Sequence, residues 1–420
     1  MKTIEGYDIK IFTDNIEDEA INQIKNLAEL EPFKDKKFRF MPDSHAGSGC
    51  VIGTTVDLGD KVIPNIVGVD IGCGVRVINL GKIDNLSEET LHDFHNYINT
   101  FVPSGMNIRK DLTTFPKSMT NDCIEIYKEA KNILTNLYCY RDLKNVERLR
   151  MAIGSLGGGN HFISIERSDD GDNHILIHTG SRNLGKQVAD IYQNKAIKHL
   201  TDGEDEFNQL IKDTIQKMKD EGRRSEIQAV IAKMKKNHKV AEPKYPKDLC
   251  YVEGEEREQY LHDMRLCQDW AVLNRKLIGM ILTNFFGVTP IEEFESVHNY
   301  IGDDNIIRKG AISAYEGEKC IIPMNMRDGS LICVGKGNED WNFSAPHGAG
   351  RIMSRSKAFE NISIDEFVQS MRGINTWSVN ESTIDESPMA YKPMQEIIDN
   401  IGDTVEIVKI IKPIFNFKAS

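Results

Sequence analysis

No uninterrupted apolar run in this 420-residue chain approaches the ~20 residues that a membrane-spanning helix needs. The opening MKTIEGYDIK also lacks the basic start and apolar core of a signal peptide. Cysteine is scarce: eight residues at irregular spacing make no small-domain disulfide framework. These absences predict a cytoplasmic protein with reduced thiols, in which Cys50, Cys123, Cys139, Cys250, Cys267, Cys320 and Cys333 serve as small buried hydrophobes. An excess of positive charge is missing too. Lys and Arg total 52 against 64 for Asp and Glu, a net charge of −12, which excludes a global basic field for nucleic acid or an anionic membrane. A polyanionic substrate would therefore need a local basic groove or metal ions. No internal repeat and no clean linker is visible. Neither the P-loop pattern G-x-x-x-x-G-K-S/T nor a G-x-G-x-x-G fingerprint placed between strand and helix occurs, which removes the common nucleotide folds.

What is present suits a soluble globular protein with a sizeable core: 40% hydrophobic residues, with 32 Gly and 13 Pro. Residues 1–82 read as turns and short strands such as VIGTTVDL and VRVINL, with a helix near Glu17–Leu30. Helical periodicity runs over 87–150, where Ser87 can cap a helix carrying Glu88 and Glu89 in its first turn. GSLGGGNHFISIE and HILIHTGSR predict a Gly-rich turn and two strands. A charged, mainly helical region follows, ending in QDWAVLNRKLIGMIL. Within it, 232–247 (AKMKKNHKVAEPKYPK) is the most basic stretch and reads as a solvated loop between helices, with RNA contact as the minority alternative. Short strands return over 296–346, helix-prone sequence fills 347–400, and IVKIIKPIFNFK closes the chain as a strand pair or a strand and turn. The expected class is α+β: one composite domain of mixed, short-stranded sheets with surrounding helices and a mainly helical insertion at about 185–275.

Five of the eleven histidines stand beside Gly, Asn or Asp in turn-like surroundings: His45, His161, His178, His298 and His347. Glycine permits close backbone approach, so histidines of this kind can converge on one point. A single such histidine is more often structural; five in similar settings favour a shared site. His92, His95, His174, His199, His238 and His262 lie in polar or helical settings and read as surface residues. The segment IPNIVGVDIGCGVRV adds Asp70 and Cys73, a hard and a soft ligand three residues apart. Alone it reads as a Gly-rich hairpin with Asp70 capping a turn. With His161, His178 and His298 the inventory suits one or two divalent metals, and Zn²⁺, Mn²⁺ and Co²⁺ all fit the chemistry. Three loops offer phosphate-binding groups: GSLGGGN as an anion nest, HTGSRNLGK with Ser181, Arg182 and Lys186 at a helix start, and HGAGRIMSRSKA with Arg351 and Arg355 on the entering helix.

In combination, MPDSHAGSGCVIG, IPNIVGVDIGCGV, GSLGGGNHF, HTGSRNLG, RKGAISA with the later GE, APHGAGRIMSR, DESPMAYKP and the lysine of FNFKAS resemble the RtcB-type RNA ligases, which join RNA ends with GTP and Mn²⁺. The matches run in order from about residue 41 to 418, which implies a single RtcB-like ligase domain over 1–420. The resemblance implies two Mn²⁺ ions on Asp70, Cys73, His161, His178 and His298, with His347 as the nucleophile that becomes guanylylated. It implies guanylate contacts from Asn160, His161, Phe162, Ile163 and Ser164, from His298 and Asn299, and from Pro323, Met324, Asn325 and Met326. Ser330, the segment His347, Gly348, Ala349 and Gly350, and Lys418 facing the guanine complete that set.

The implied reaction has three steps. His347 takes GMP from GTP and releases pyrophosphate; GMP passes to an RNA 3′-phosphate; a 5′-OH attacks the activated RNA(3′)pp(5′)G end and expels GMP. A 2′,3′-cyclic phosphate end would first be opened by water. The implied partner is cleaved RNA, such as tRNA, with no membrane, and some relatives use a small activator, archease. Two departures from the family pattern stand out. Many members carry Glu where this chain has Ser164, with Glu166 two residues on, and a Pro–Gly–Ser–Met loop reads Pro323, Met324, Asn325, Met326 here. Both fall around the nucleobase and its phosphates, and Asn325 can replace a serine hydroxyl as donor. The competing readings are a dinuclear metallophosphoesterase without nucleotidyl transfer and a non-enzymatic RNA or metal binder; retention of all five ligand positions and His347 weighs against the latter.

Overall fold

The computed structural model describes residues 1–84, 86–201, 204–237 and 242–419. Its class is α+β, built on two principal sheets that are antiparallel apart from two pairings. The six-stranded sheet runs in the order Lys2–Thr3, Ile9–Ile11, Phe38–His45, Ile52–Asp57, Ile306–Lys309, Asn299–Ile301. The larger sheet runs Glu292–Val297, Gly74–Gly81, Asn173–Thr179, Phe162–Ser168, Val405–Lys418, Gly329–Gly335, Lys319–Asn325, and Asn375–Thr376 pairs parallel to its C-terminal strand.

Strand alternation gives the larger sheet two different faces. On one, Ile78, Ile163, Ile165, Ile175, Ile177, Phe415 and Phe417 join the main core beneath the 33-residue helix Gly254–Phe286. That helix buries Trp270, Leu277, Ile278 and Ile281 completely, each such side chain contributing about 1.5–3 kcal/mol. Gly287, with φ 63°, ends it in the left-handed conformation. The opposite face carries Val75, Val77, Leu176, Ile321, Ile332 and Ile411, and opens at one end into a cleft.

Local expectations are met where chemistry is local. Ser87 accepts a hydrogen bond from Thr90 N and starts Glu88–Phe101, and Asp18–Ala28 forms within the predicted first helix. All eight cysteines are buried and free. Among the described residues, no helix is long and apolar enough to cross a membrane.

Four expectations need correction. The closing segment is one 14-residue strand, Val405–Lys418, not a strand pair or strand and turn. A register shift between Pro413 and Phe415 absorbs the proline's missing donor. The stretch 232–247 begins inside the helix Ile227–Asn237 instead of forming a continuous loop; residues 238–241, including His238, lie outside the described residues. His174, expected at the surface, is 3% exposed because its strand lies inside the larger sheet. Arg351 precedes the helix Arg355–Asn361 and forms an isolated bridge with Tyr391.

Candidate active site

At one end of the larger sheet, Gly74–Gly81, Asn173–Thr179 and Phe162–Ser168 lie side by side. Their ends and preceding turns carry Cys73, His178 and His161, and the turn Val297–Asn299 adds His298. Cys73, His178 and His298 bring one ligand atom each to within 4.8 Å of one another, and so do Asp70, Cys73 and His161. Cys73 Sγ lies 3.5 Å from His161 Nε2 and 3.4 Å from His178 Nε2. His178 Nε2 lies 3.4 Å from His298 Nε2, and Asp70 Oδ2 2.9 Å from His161 Nε2. Gly180 makes the approach possible: a Cβ there would stand 2.3 Å from Asp70 Oδ1.

The donor chemistry fits divalent metal. His161 Nδ1 faces Leu156 O at 2.9 Å and His178 Nδ1 faces Asn160 O at 3.2 Å. A proton on each Nδ1 satisfies the carbonyl and leaves Nε2 bare, the tautomer of a metal-binding histidine. Burial, reinforced by neighbouring histidines, keeps His178 and His298 well below the ordinary histidine range, so bare nitrogens converge on one point. Burial and the neighbouring Asp70 push the Cys73 thiol up. Burial also opposes ionisation of Asp70, but neighbouring His161, Cys73 and Arg182 together outweigh it and lower the carboxyl. Cys73 belongs to both donor groups, so its sulfur is a candidate ligand in each.

His347 stands at the edge of this cluster, its ring centroid 4.8 Å from that of His298. Its Nδ1 lies 2.6 Å from Oδ2 of Asp43, a residue with no exposed surface. The HGAG turn packs tightly on the strand Phe38–His45: a Cβ at Gly350, where φ is 74°, would meet Asp43 O at 2.2 Å. His347 Nδ1 and Asp43 Oδ2 lie at ion-pair distance without hydrogen-bond geometry, and Nε2 is the ring nitrogen that Asp43 leaves free.

The cleft beyond His347 is lined by Asn160, Phe162, Pro323, Met324, Asn325, Met326, Ser330, Gly348, Ala349, Gly350 and Lys418 among the predicted contacts. His45 lines it too, outside the donor groups. Five predicted contacts do not line it: His161 and His298 lie in the donor groups, and three more are placed otherwise. Ile163 turns its side chain into the core on the opposite sheet face. Asn299 braces the framework, its Nδ2 donating to Asp70 O and its Oδ1 accepting from Gly310 N. Ser164 is fully buried behind Glu166, which does line the cleft.

Several wall residues were not singled out from the sequence. Buried Glu386 pairs with Lys418 Nζ, accepts from Tyr391 OH at 2.8 Å and lies 3.3 Å from Arg351 NH1. Lys418 outranks Arg351 in holding that carboxyl low against its burial. Asp43 and Glu386 sit within MPDSHAGSG and DESPMAYKP, so the motifs were visible while the individual carboxylates looked like ordinary polar residues.

A histidine next to a buried carboxylate, beside a thiol–imidazole–carboxylate cluster, is an arrangement suited to metal-assisted group transfer. The family described as tRNA-splicing ligase RtcB matches residues 23–419, and the chain belongs to that family. It is 29% identical to the RNA-splicing ligase RtcB of Escherichia coli (strain K12) over 440 residues, covering 98% of this chain and 97% of that protein. The tRNA-splicing ligase RtcB of Methanococcus maripaludis is 25% identical over 480 residues, covering 96% and 92%. The RNA-splicing ligase RtcB homolog 1 of Entamoeba histolytica is 23% identical over 478 residues, covering 95% and 82%.

Proposed function

We propose that this protein is a cytoplasmic RNA ligase that joins an RNA 3′-phosphate, or a 2′,3′-cyclic phosphate after its opening, to a 5′-OH end. GTP supplies the energy through a GMP–histidine intermediate on His347. The observation that carries this reading is the setting of His347: Oδ2 of the buried Asp43 lies 2.6 Å from its Nδ1, and its ring lies 4.8 Å from that of His298. Asp70, Cys73, His161, His178 and His298 would hold two Mn²⁺ ions, whose chemistry is to offset developing phosphate charge and orient in-line attack.

The chain's own groups divide the remaining work. His347 Nε2 forms a bond to the α-phosphorus of GTP and pyrophosphate leaves. With its proton kept on Nδ1, the substituted ring is cationic, and Asp43 offsets that charge. The GMP then moves to the RNA 3′-phosphate, restoring neutral His347, and the 5′-OH displaces GMP to close the strand. Lys418, held by Glu386, and the Pro323–Met326 strand end stand where the nucleotide would be gripped.

The test is a sealing assay on a nicked RNA bearing 3′-phosphate and 5′-OH ends, with GTP and Mn²⁺. Sealing that depends on both and is lost in His347→Ala is the expected result. Phosphate release from the 3′ end without sealing would replace ligation by the phosphoesterase reading.

A further inference from the structure

Two consecutive side chains of the helix Gly254–Phe286, Asn274 and Arg275, are fully buried and reach the segments that carry the metal donors. Arg275 Nη1 donates to Gly72 O and to Thr179 O, both at 2.8 Å, the carbonyls next to Cys73 and His178 in the chain. Its Nε and Nη2 donate to Glu295 Oε2 at 3.1 and 2.9 Å, on the strand that leads into His298. His298 N in turn donates to Cys73 O at 2.9 Å. Arg275 therefore ties together Cys73, His178 and His298, which form one of the two donor groups.

Asn274 serves the other group. Its Oδ1 accepts from Gly154 N at 2.7 Å and Ser155 N at 3.2 Å. Its Nδ2 donates to Ser155 O at 3.1 Å and Gly180 O at 3.2 Å. Those four bonds use the whole capacity of the amide. Leu156, next in the chain, presents the carbonyl that faces His161 Nδ1, and Gly180 is the residue packed on the Asp70 carboxylate. An amide and a guanidinium in a helix core are costly unless their hydrogen bonds are made, and here the bonds converge on donor-bearing segments.

We propose that Asn274 and Arg275 are positioning residues that each fix one donor group: Arg275 sets the spacing of Cys73, His178 and His298, and Asn274 that of Asp70 and His161. The assignment rests on the reading of the cluster as a two-metal site. A cation held by side chains from separate segments binds well only if those segments are ordered beforehand, because ordering them on binding subtracts from the affinity. Since the two residues tether different groups, the loss of one should loosen one ion and spare the other.

The experiment is Mn²⁺ titration of the metal-free full chain by isothermal titration calorimetry, for wild type, Arg275→Lys and Asn274→Asp. His298→Ala and Asp70→Ala mark which binding step belongs to which donor group. Arg275→Lys keeps a cation beside Glu295 but loses the planar fork that spans Gly72 O and Thr179 O. Asn274→Asp keeps the acceptor for Gly154 N and Ser155 N and loses the Nδ2 donor. Arg275→Lys should weaken the step missing in His298→Ala about tenfold or more and leave the other within about threefold. Asn274→Asp should do the same to the step missing in Asp70→Ala. Circular dichroism shows whether each variant folds; Glu295→Gln, which removes the charged partner and leaves Arg275 in place, should give a smaller loss at the Arg275 step and tests the proposal if Arg275→Lys does not fold. Equal weakening of both steps in each folded variant would reduce the pair to general supports of the fold and overturn the proposal, as would unchanged affinities. A wild-type protein that binds no Mn²⁺ would remove the metal reading and the proposal with it, whereas two wild-type steps that the variants leave intact would remove the positioning role alone.

Discussion

Asp43→Asn is the sharpest probe of how His347 is activated. Asp43 is fully buried, and its Oδ2 lies 2.6 Å from His347 Nδ1. Attack by Nε2 leaves a positive charge on the ring, so the carboxylate counts most after the bond to phosphorus has begun to form. Two unit charges about 4 Å apart at an effective dielectric near 20 interact by about 4 kcal/mol. Allowing for the dipole that asparagine retains, the substitution should raise the barrier by about 2–4 kcal/mol. That slows GMP transfer by a factor of roughly 30 to 1,000. The assay is the single-turnover rate of mass gain with GTP and Mn²⁺, with bound metal measured in parallel. Metal content should stay at the wild-type level, because Asp43 belongs to neither donor group. A labelling rate within threefold of wild type, in a variant that binds metal normally, would refute the claim that Asp43 stabilises the charged ring.

Cys73→Ala removes the ligand common to both donor groups, so the Mn²⁺ retained after desalting should fall well below wild type; elemental analysis showing unchanged stoichiometry would return Cys73 to the core. Gly180→Ala places a methyl 2.3 Å from Asp70 Oδ1, and because the carboxylate is the mobile end it should swing away, weakening metal retention while shifting the unfolding temperature little. Glu166 gives a pH signature in stability. Its folded-state value of about 7 lies above the ordinary 4.5, so the native state holds this proton more tightly than the unfolded chain. Its contribution is full below about 4.5 and is lost as pH rises through 7, about 3 kcal/mol in all. Denaturant midpoints at pH 5 and pH 8 should therefore differ less in Glu166→Gln than in wild type, and equal pH dependence in the two would contradict the buried, proton-holding carboxyl.

The convergence of His161, His178, His298 and His347 was legible because each is tied to a local signal, glycine or asparagine at a strand end, that survives without knowledge of topology. Asp70 and Cys73 were legible for the same reason. Long-range placement was not. His174 follows DDGDN, a polar turn, and nothing local says that its strand lies inside an eight-stranded sheet. Ile163 lies between two cleft-facing positions, and alternation along the strand sends it to the other face; a contact set taken as a continuous run includes it, whereas the pleat does not. Ser164 and Glu166 follow the same rule, since both face one way and depth decides which reaches the cleft. The closing segment read as a strand pair or a strand and turn, but a register shift beside Pro413 lets one strand continue and carry Asn416 and Lys418 into the cleft wall. Asp43 and Glu386 acquire meaning only from burial, which local sequence does not display.

The most direct test of the central claim is the intact mass of the protein after incubation with GTP and Mn²⁺, beside a matched His347→Ala sample. The account predicts a gain of one GMP in the wild-type protein and none in the variant. No gain in a wild-type protein shown to hold metal, or an equal gain in His347→Ala, would contradict it.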